Sequence, residues 1–112
     1  MPQFDDRERA FENKFAHDAE LQFKVAARRN RMLGLWVAEL LGKSGEAADD
    51  YARSVVLADL QRPGDEDVFE KVWADLQAAG AAVTEEDVRK RMIAMLAEAK
   101  AQLMTEIPGD QP

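Results

Sequence analysis

His17 is the only histidine in this chain of 112 residues, and there is no cysteine. No histidine pair can hold a metal or relay a proton, thiol chemistry is excluded, and no Ser, His and Asp stand at a spacing that suggests nucleophilic catalysis. Asp65-Glu66-Asp67 offers carboxylates, but three acids directly after Pro63-Gly64 read as the cap and first turn of a helix, set against its positive dipole end. The alternating acids and closing glutamate of a calcium loop are missing. Neither Gly-x-x-x-x-Gly-Lys-Ser/Thr nor Gly-x-Gly-x-x-Gly occurs, so the usual phosphate cradles are absent. These residues describe a protein that is not an enzyme and needs no cofactor or metal.

The chemistry that remains is recognition, and it concentrates at the start of the chain. Phe4-Asp5-Asp6-Arg7-Glu8-Arg9-Ala10-Phe11-Glu12-Asn13-Lys14-Phe15-Ala16-His17 combines dense charge of both signs with three phenylalanines. At about 100° per residue, Phe4, Phe11 and Phe15 point within roughly 40° of one another, while Asp6, Arg9, Asn13 and His17 point elsewhere. Asp5 can cap this helix, with Glu8 three residues on at capping-box spacing. His17 on such a helix is either a surface residue or a pH-sensitive contact.

Four helices must position this segment. From Asp5 to about Leu41 there is no proline and only Gly34, and Leu33, Trp36, Val37, Leu40 and Leu41 recur at threes and fours, which predicts one long first helix. Gly42 supplies its C-cap and Ser44 the N-cap of a second helix, with Ala48, Tyr51, Ala52 and Val55 on one face. That helix stops at Gln61 or Arg62, because Pro63 restricts its predecessor. Asp65 can cap a third helix carrying Phe69, Val72, Trp73 and Leu76, ended near Gly80. Thr84-Glu85-Glu86-Asp87 starts a fourth, whose stripe is Val88, Met92, Met95, Leu96, Ala99 and Leu103. Nothing alternates with period two, so the expected fold is all-α, a four-helix bundle. Residues 18–106 form the bundle, 1–17 a segment that projects or frays, and 107–112 a loose tail with Pro108, Gly109 and Pro112. Whether the phenylalanine line folds back or projects is open from spacing alone, since Ala26, Leu33 and Leu40 continue it while Asp18, Gln22 and Arg29 interrupt it.

Charge separates the two parts. Residues 1–31 carry seven basic and six acidic side chains, whereas residues 32–112 carry eight and sixteen, within a net charge of −7. That balance argues against nucleic-acid binding, which needs a positive field. Lys24, Arg28 and Arg31 share a face, with Arg29 beside them. They form either a docking patch for an acidic surface or side chains lying over the later helices, toward Asp49, Asp50 or Asp59. Trp36 and Trp73, with Tyr51 and Phe69, stand among aliphatic residues as core anchors. The longest apolar stretch, Met32 to Leu41, is interrupted by Glu39, and Asp5 and Asp6 stand where a signal peptide would be basic. The expectation is a soluble cytoplasmic monomer, not embedded in a membrane.

Phe4 to Glu12, Lys14-Phe15-Ala16-His17-Asp18, Ala27-Arg28-Arg29-Asn30, Leu33-Gly34-Leu35-Trp36 and Pro63 to Phe69 closely resemble the zeta subunits of alpha-proteobacterial F-type ATP synthases, over nearly the whole chain. The resemblance implies a four-helix protein whose N-terminal helix inhibits ATP hydrolysis by entering an interface between catalytic α and β subunits near the γ stalk. There it would block rotation in the hydrolytic direction. Carried over by position, the partner-binding residues are Phe4, Asp5, Asp6, Arg7, Glu8, Arg9, Phe11, Glu12, Lys14, Phe15 and His17, with Arg28 and Arg29 in the anchoring body. The protein would then sit at the cytoplasmic face of the inner membrane through the ATP synthase. Two other readings are a helical adaptor that binds a protein through the Trp36, Phe69 and Trp73 region, and a nucleotide sensor, for which no motif speaks.

Overall fold

Asp18 breaks the helix that the sequence reads as continuous. The structure, a computed structural model, describes residues 6–106, and within them are α1 (Asp6–His17), α2 (Ala19–Leu40), α3 (Gly45–Gln61), α4 (Asp65–Ala78) and α5 (Glu85–Glu106), with no strand. Asp18 adopts an extended conformation at φ −112° and ψ 105° and is the N-cap of α2, its Oδ1 accepting from the backbone N–H of Glu20 at 3.0 Å and of Leu21 at 3.1 Å. The long first helix is therefore two helices, because a carboxylate of this length bonds the first free N–H groups of a new helix instead of continuing the old one.

The remaining ends follow the sequence closely. At the end of α2, Gly42 has φ 80° and donates to the Glu39 carbonyl, while Lys43 donates to that of Ala38. This pair of backward bonds needs a left-handed residue, which glycine supplies without strain. α3 ends at Gln61 as Pro63 requires, and α4 stops short of Gly80. Thr84 and Asp87 cap α5 reciprocally: the Asp87 N–H donates to Thr84 Oγ1 and the Thr84 N–H to Asp87 Oδ2, each at 3.0 Å. Two expected caps differ. Ser44 holds its N-cap position without a side-chain bond, and Gly64 takes that position at α4, leaving Asp65 as the first helical residue.

α2 is the central element, with α3, α4 and α5 packed about it. Leu33, Val37, Val55, Val68, Phe69, Val72, Leu76, Val88 and Met92 are buried together, with Trp36, Tyr51 and Trp73 packed against them. Removing these side chains from water is the main favourable term in a fold without disulfides. The closest helix approach is α2 on α3, where a Cβ added to Gly34 would stand 2.6 Å from Ala52 Cα, so only glycine permits this separation. The Tyr51 hydroxyl donates to Asp75 at 2.7 Å, and burial first, then this bond, push the phenol's pKa up. A second cluster lies at the other end: Phe11, Leu21, Val25, Ala99 and Leu103. Through it α1 joins the body.

Candidate protein-binding site

α1 is an amphipathic helix attached by one side. Phe11 is its single buried residue and plugs the second cluster, while Phe15 is half-buried and packs against it. In this structure Asp6–His17 does not project as one of the two expected arrangements had it: the aromatic side rests on α2 and α5, because Phe11 finds an apolar seat there. Phe4 and Asp5 lie outside the described residues. Around Phe11 the attachment is polar and mostly exposed. Arg7 Nη2 donates to the Met104 carbonyl at 2.7 Å, near the end of α5. Lys100 Nζ lies 4.2 Å from the centre of the Phe15 ring and 3.6 Å from Glu12 Oε1. Asp6, Arg9, Lys14 and His17 are exposed, and Glu8 is half-buried.

The basic residues of α2 have partners within the chain, one of the two alternatives left open by the sequence. Arg28 forms a two-pronged pair with Glu106, Nη2 to Oε1 at 2.8 Å, and donates to Gln102. That hydrogen bond, more than the charge, holds the Glu106 carboxyl below its ordinary range. Arg29 is buried: its Nη2 donates to Asp65 at 2.8 Å, and its Nε to Asn30 Oδ1 at 2.8 Å. Asn30 in turn donates to Asp59, which accepts from the Gly64 N–H. This chain of bonds ties α2 to the α3–α4 turn. Arg31 reaches Asp49 at 3.7 Å and Lys24 reaches Glu20 at 3.6 Å. In this conformation Arg29 offers no surface, and Arg28 already holds a carboxylate.

The aromatic group near Trp36 is likewise covered. Phe69 stacks on Trp73 with ring centres 6.2 Å apart, Arg89 lies 3.7 Å over Phe69, and Arg91 lies 4.8 Å over Trp36. Hydrogen bonding to Arg89 holds the Glu66 carboxyl below its ordinary range. Lys100, Met104 and Gln22 are the site residues that sequence reasoning missed, and Leu103 was read only as part of the α5 stripe. Lys100 and Met104 lie some ninety positions from α1 and carry no local signal, while Gln22 marked only an interruption of the apolar line.

Among the described residues no group of three His, Cys, Asp or Glu side chains could hold a metal ion, and no helix is long and apolar enough to cross a membrane. What the fold presents is an all-helical protein, a packed body bearing a short amphipathic helix seated through Phe11. The family model described as ATPase inhibitor subunit zeta matches residues 1–102, and the chain belongs to that family. Its members are regulatory subunits, not enzymes. A similar solved structure, a protein determined by solution NMR, is 50% identical, covers 78% of this chain and 99% of its own, and superimposes with a TM-score of 0.67. No curated protein matches the sequence.

Proposed function

We propose that the chain inhibits ATP hydrolysis by the catalytic head of the F-type ATP synthase, with residues 1–17 as the inhibitory segment and residues 18–106 as the body that anchors it. The segment enters a catalytic α/β interface near the γ stalk and blocks rotation in the hydrolytic direction. The observation that carries this reading is α1 itself, a charged helix whose one buried residue is Phe11 and whose second ring, Phe15, is half-buried. A fully buried phenylalanine contributes about 1.5–3 kcal/mol. Moving Phe11 from its own seat to a crevice in the partner is therefore close to neutral, and burying Phe15 fully is a gain. The body raises the local concentration of the helix at its target. On this reading the protein is peripheral to the inner membrane, on its cytoplasmic side, and meets the α, β and γ subunits.

An adaptor acting through Trp36, Phe69 and Trp73 is disfavoured, because Arg89 and Arg91 cover two of those rings. The proposal is tested with the variant Phe11→Ala/Phe15→Ala, titrated against ATP hydrolysis by the purified head. Inhibition should weaken about three- to tenfold, chiefly through Phe15, since completing the burial of one half-buried ring is worth about 0.75–1.5 kcal/mol. The helical content of the body should remain. An unchanged inhibition curve refutes the wedge.

A further inference from the structure

The connection between α1 and α2 is balanced between two forms. In an uninterrupted helix the N–H groups of Ala19, Glu20 and Leu21 would donate to the carbonyls of Phe15, Ala16 and His17. At the break, three side-chain bonds stand in their place. Asp18 Oδ1 accepts from the N–H of Glu20 and Leu21, and Gln22 Nε2 donates to the Phe15 carbonyl at 2.7 Å. The helical ladder resumes on both sides at once, with the Asp18 N–H donating to Lys14 and the Gln22 N–H to Asp18. Asp18 Oδ2 also lies 3.7 Å from Lys14 Nζ, so one carboxylate touches both helices. No glycine or proline lies between Asp6 and Leu33, and the φ and ψ of Asp18 are ordinary for any residue. Nothing covalent or steric in the backbone enforces the break.

We propose that Asp18 and Gln22 form a reversible helix break, and that the chain has a second form in which α1 and α2 join into one helix spanning residues 6–40. Joining the helices lifts Phe11 and Phe15 off α5 and carries them beyond the end of the body, a form fitted to reach into a crevice of another protein. The bent form keeps the same rings on Leu103 and Lys100, so body and partner compete for one face of α1. This deepens the proposed function and rests on it for the identity of the partner. The break itself does not.

Two substitutions push the equilibrium in opposite directions. Asp18→Ala/Gln22→Ala deletes the bonds that satisfy the break and favours the joined helix. Ala19→Pro fits the bent form, because proline is favoured at the first helical position and Asp18 already has the extended backbone that precedes proline. In the joined helix that proline would lie mid-helix and forfeit the bond to Phe15, so it locks the break.

The experiment places spin labels on Arg9→Cys and Thr105→Cys, two exposed positions in a chain without native cysteine, and measures their separation. In the bent form α1 touches the end of α5, since Arg7 donates to Met104. In the joined form the labels stand about 30 Å apart, from the rise per residue between α1 and the level of Arg28, which contacts Gln102 and Glu106. The alanine pair should shift the population to the long distance, and Ala19→Pro should keep only the short one. Identical distributions in all three chains overturn the break as a switch. The unlabelled chains are then titrated on the ATPase head, where Ala19→Pro should inhibit at least about fivefold more weakly than the native chain. Separated distances with equal inhibition overturn the joined helix as the partner-binding form. A chain lacking residues 1–17 that still inhibits would instead remove the wedge and leave the break standing on its distances.

Discussion

Lys100 Nζ lies 4.2 Å from the centre of the Phe15 ring while also pairing with Glu12 at 3.6 Å. A single α5 side chain thus holds two α1 residues one helical turn apart. Both contacts are partly solvated, so together they contribute about 1 kcal/mol, little more than thermal energy can open.

Lys100→Ala should therefore loosen α1 without disturbing the body. Tryptic cleavage after Arg7, Arg9 or Lys14 should accelerate roughly fivefold, the equivalent of about 1 kcal/mol. Raising salt should have the same effect on the native chain and much less on the variant. Mass spectrometry of a cleavage time course reads both.

Gly34→Ala should destabilise the whole body, since the new methyl would meet backbone at Ala52 Cα and not a side chain that can turn away. Overpacking of this kind costs about 1–3 kcal/mol, which is several degrees in Tm. Thermal unfolding followed by circular dichroism measures it. A Tm unchanged from the native chain would mean that α2 and α3 are not held this closely.

Asp65→Asn should cost more than Asp49→Asn, although both remove one carboxylate from an arginine. Arg29 is buried and loses the carboxylate it pairs with, whereas Arg31 is exposed and water replaces Asp49. The expected losses are about 1.5–3 kcal/mol against under about 1 kcal/mol, read from urea midpoints.

Stability should fall in acid partly through Glu66 and Glu106. Their carboxyls are depressed in the folded chain by hydrogen bonds from Arg89 and Arg28, against 4.5 when unperturbed. A depressed acid contributes stability that is fully present above its unfolded pKa and is lost as pH falls through its folded one. The loss should thus begin below about pH 4.5. Urea unfolding of Glu66→Gln/Glu106→Gln at pH 7 and pH 3 should show a smaller drop between the two than the native chain.

Much of the fold was legible because its signals are local. Thr84 and Asp87 cap α5 across three residues, Gly42 ends α2, Pro63 ends α3, and the apolar spacings marked most of the buried faces of α2 and α5, although Leu40 of the α2 set is exposed. What was not legible depends on contacts between distant segments. Asp18 and Gln22 were visible only as interruptions of the apolar line, since capping at Asp18 competes with a helix that propensity alone would continue. The seat for Phe11 is made by Ala99 and Leu103, and no pattern within α1 announces it. Arg28 and Arg29 read either as a docking patch or as side chains lying over the later helices, and their pairs with Glu106 and Asp65 were not legible because only the packed helices define those positions.

The most direct test of inhibition by the N-terminal segment is ATP hydrolysis by an alpha-proteobacterial ATP synthase head depleted of its own zeta subunit. It is titrated with the full chain and with a chain lacking residues 1–17. Saturable inhibition by the full chain, lost on truncation, is the result expected. Equal inhibition by both would contradict the account and move the active surface into the body.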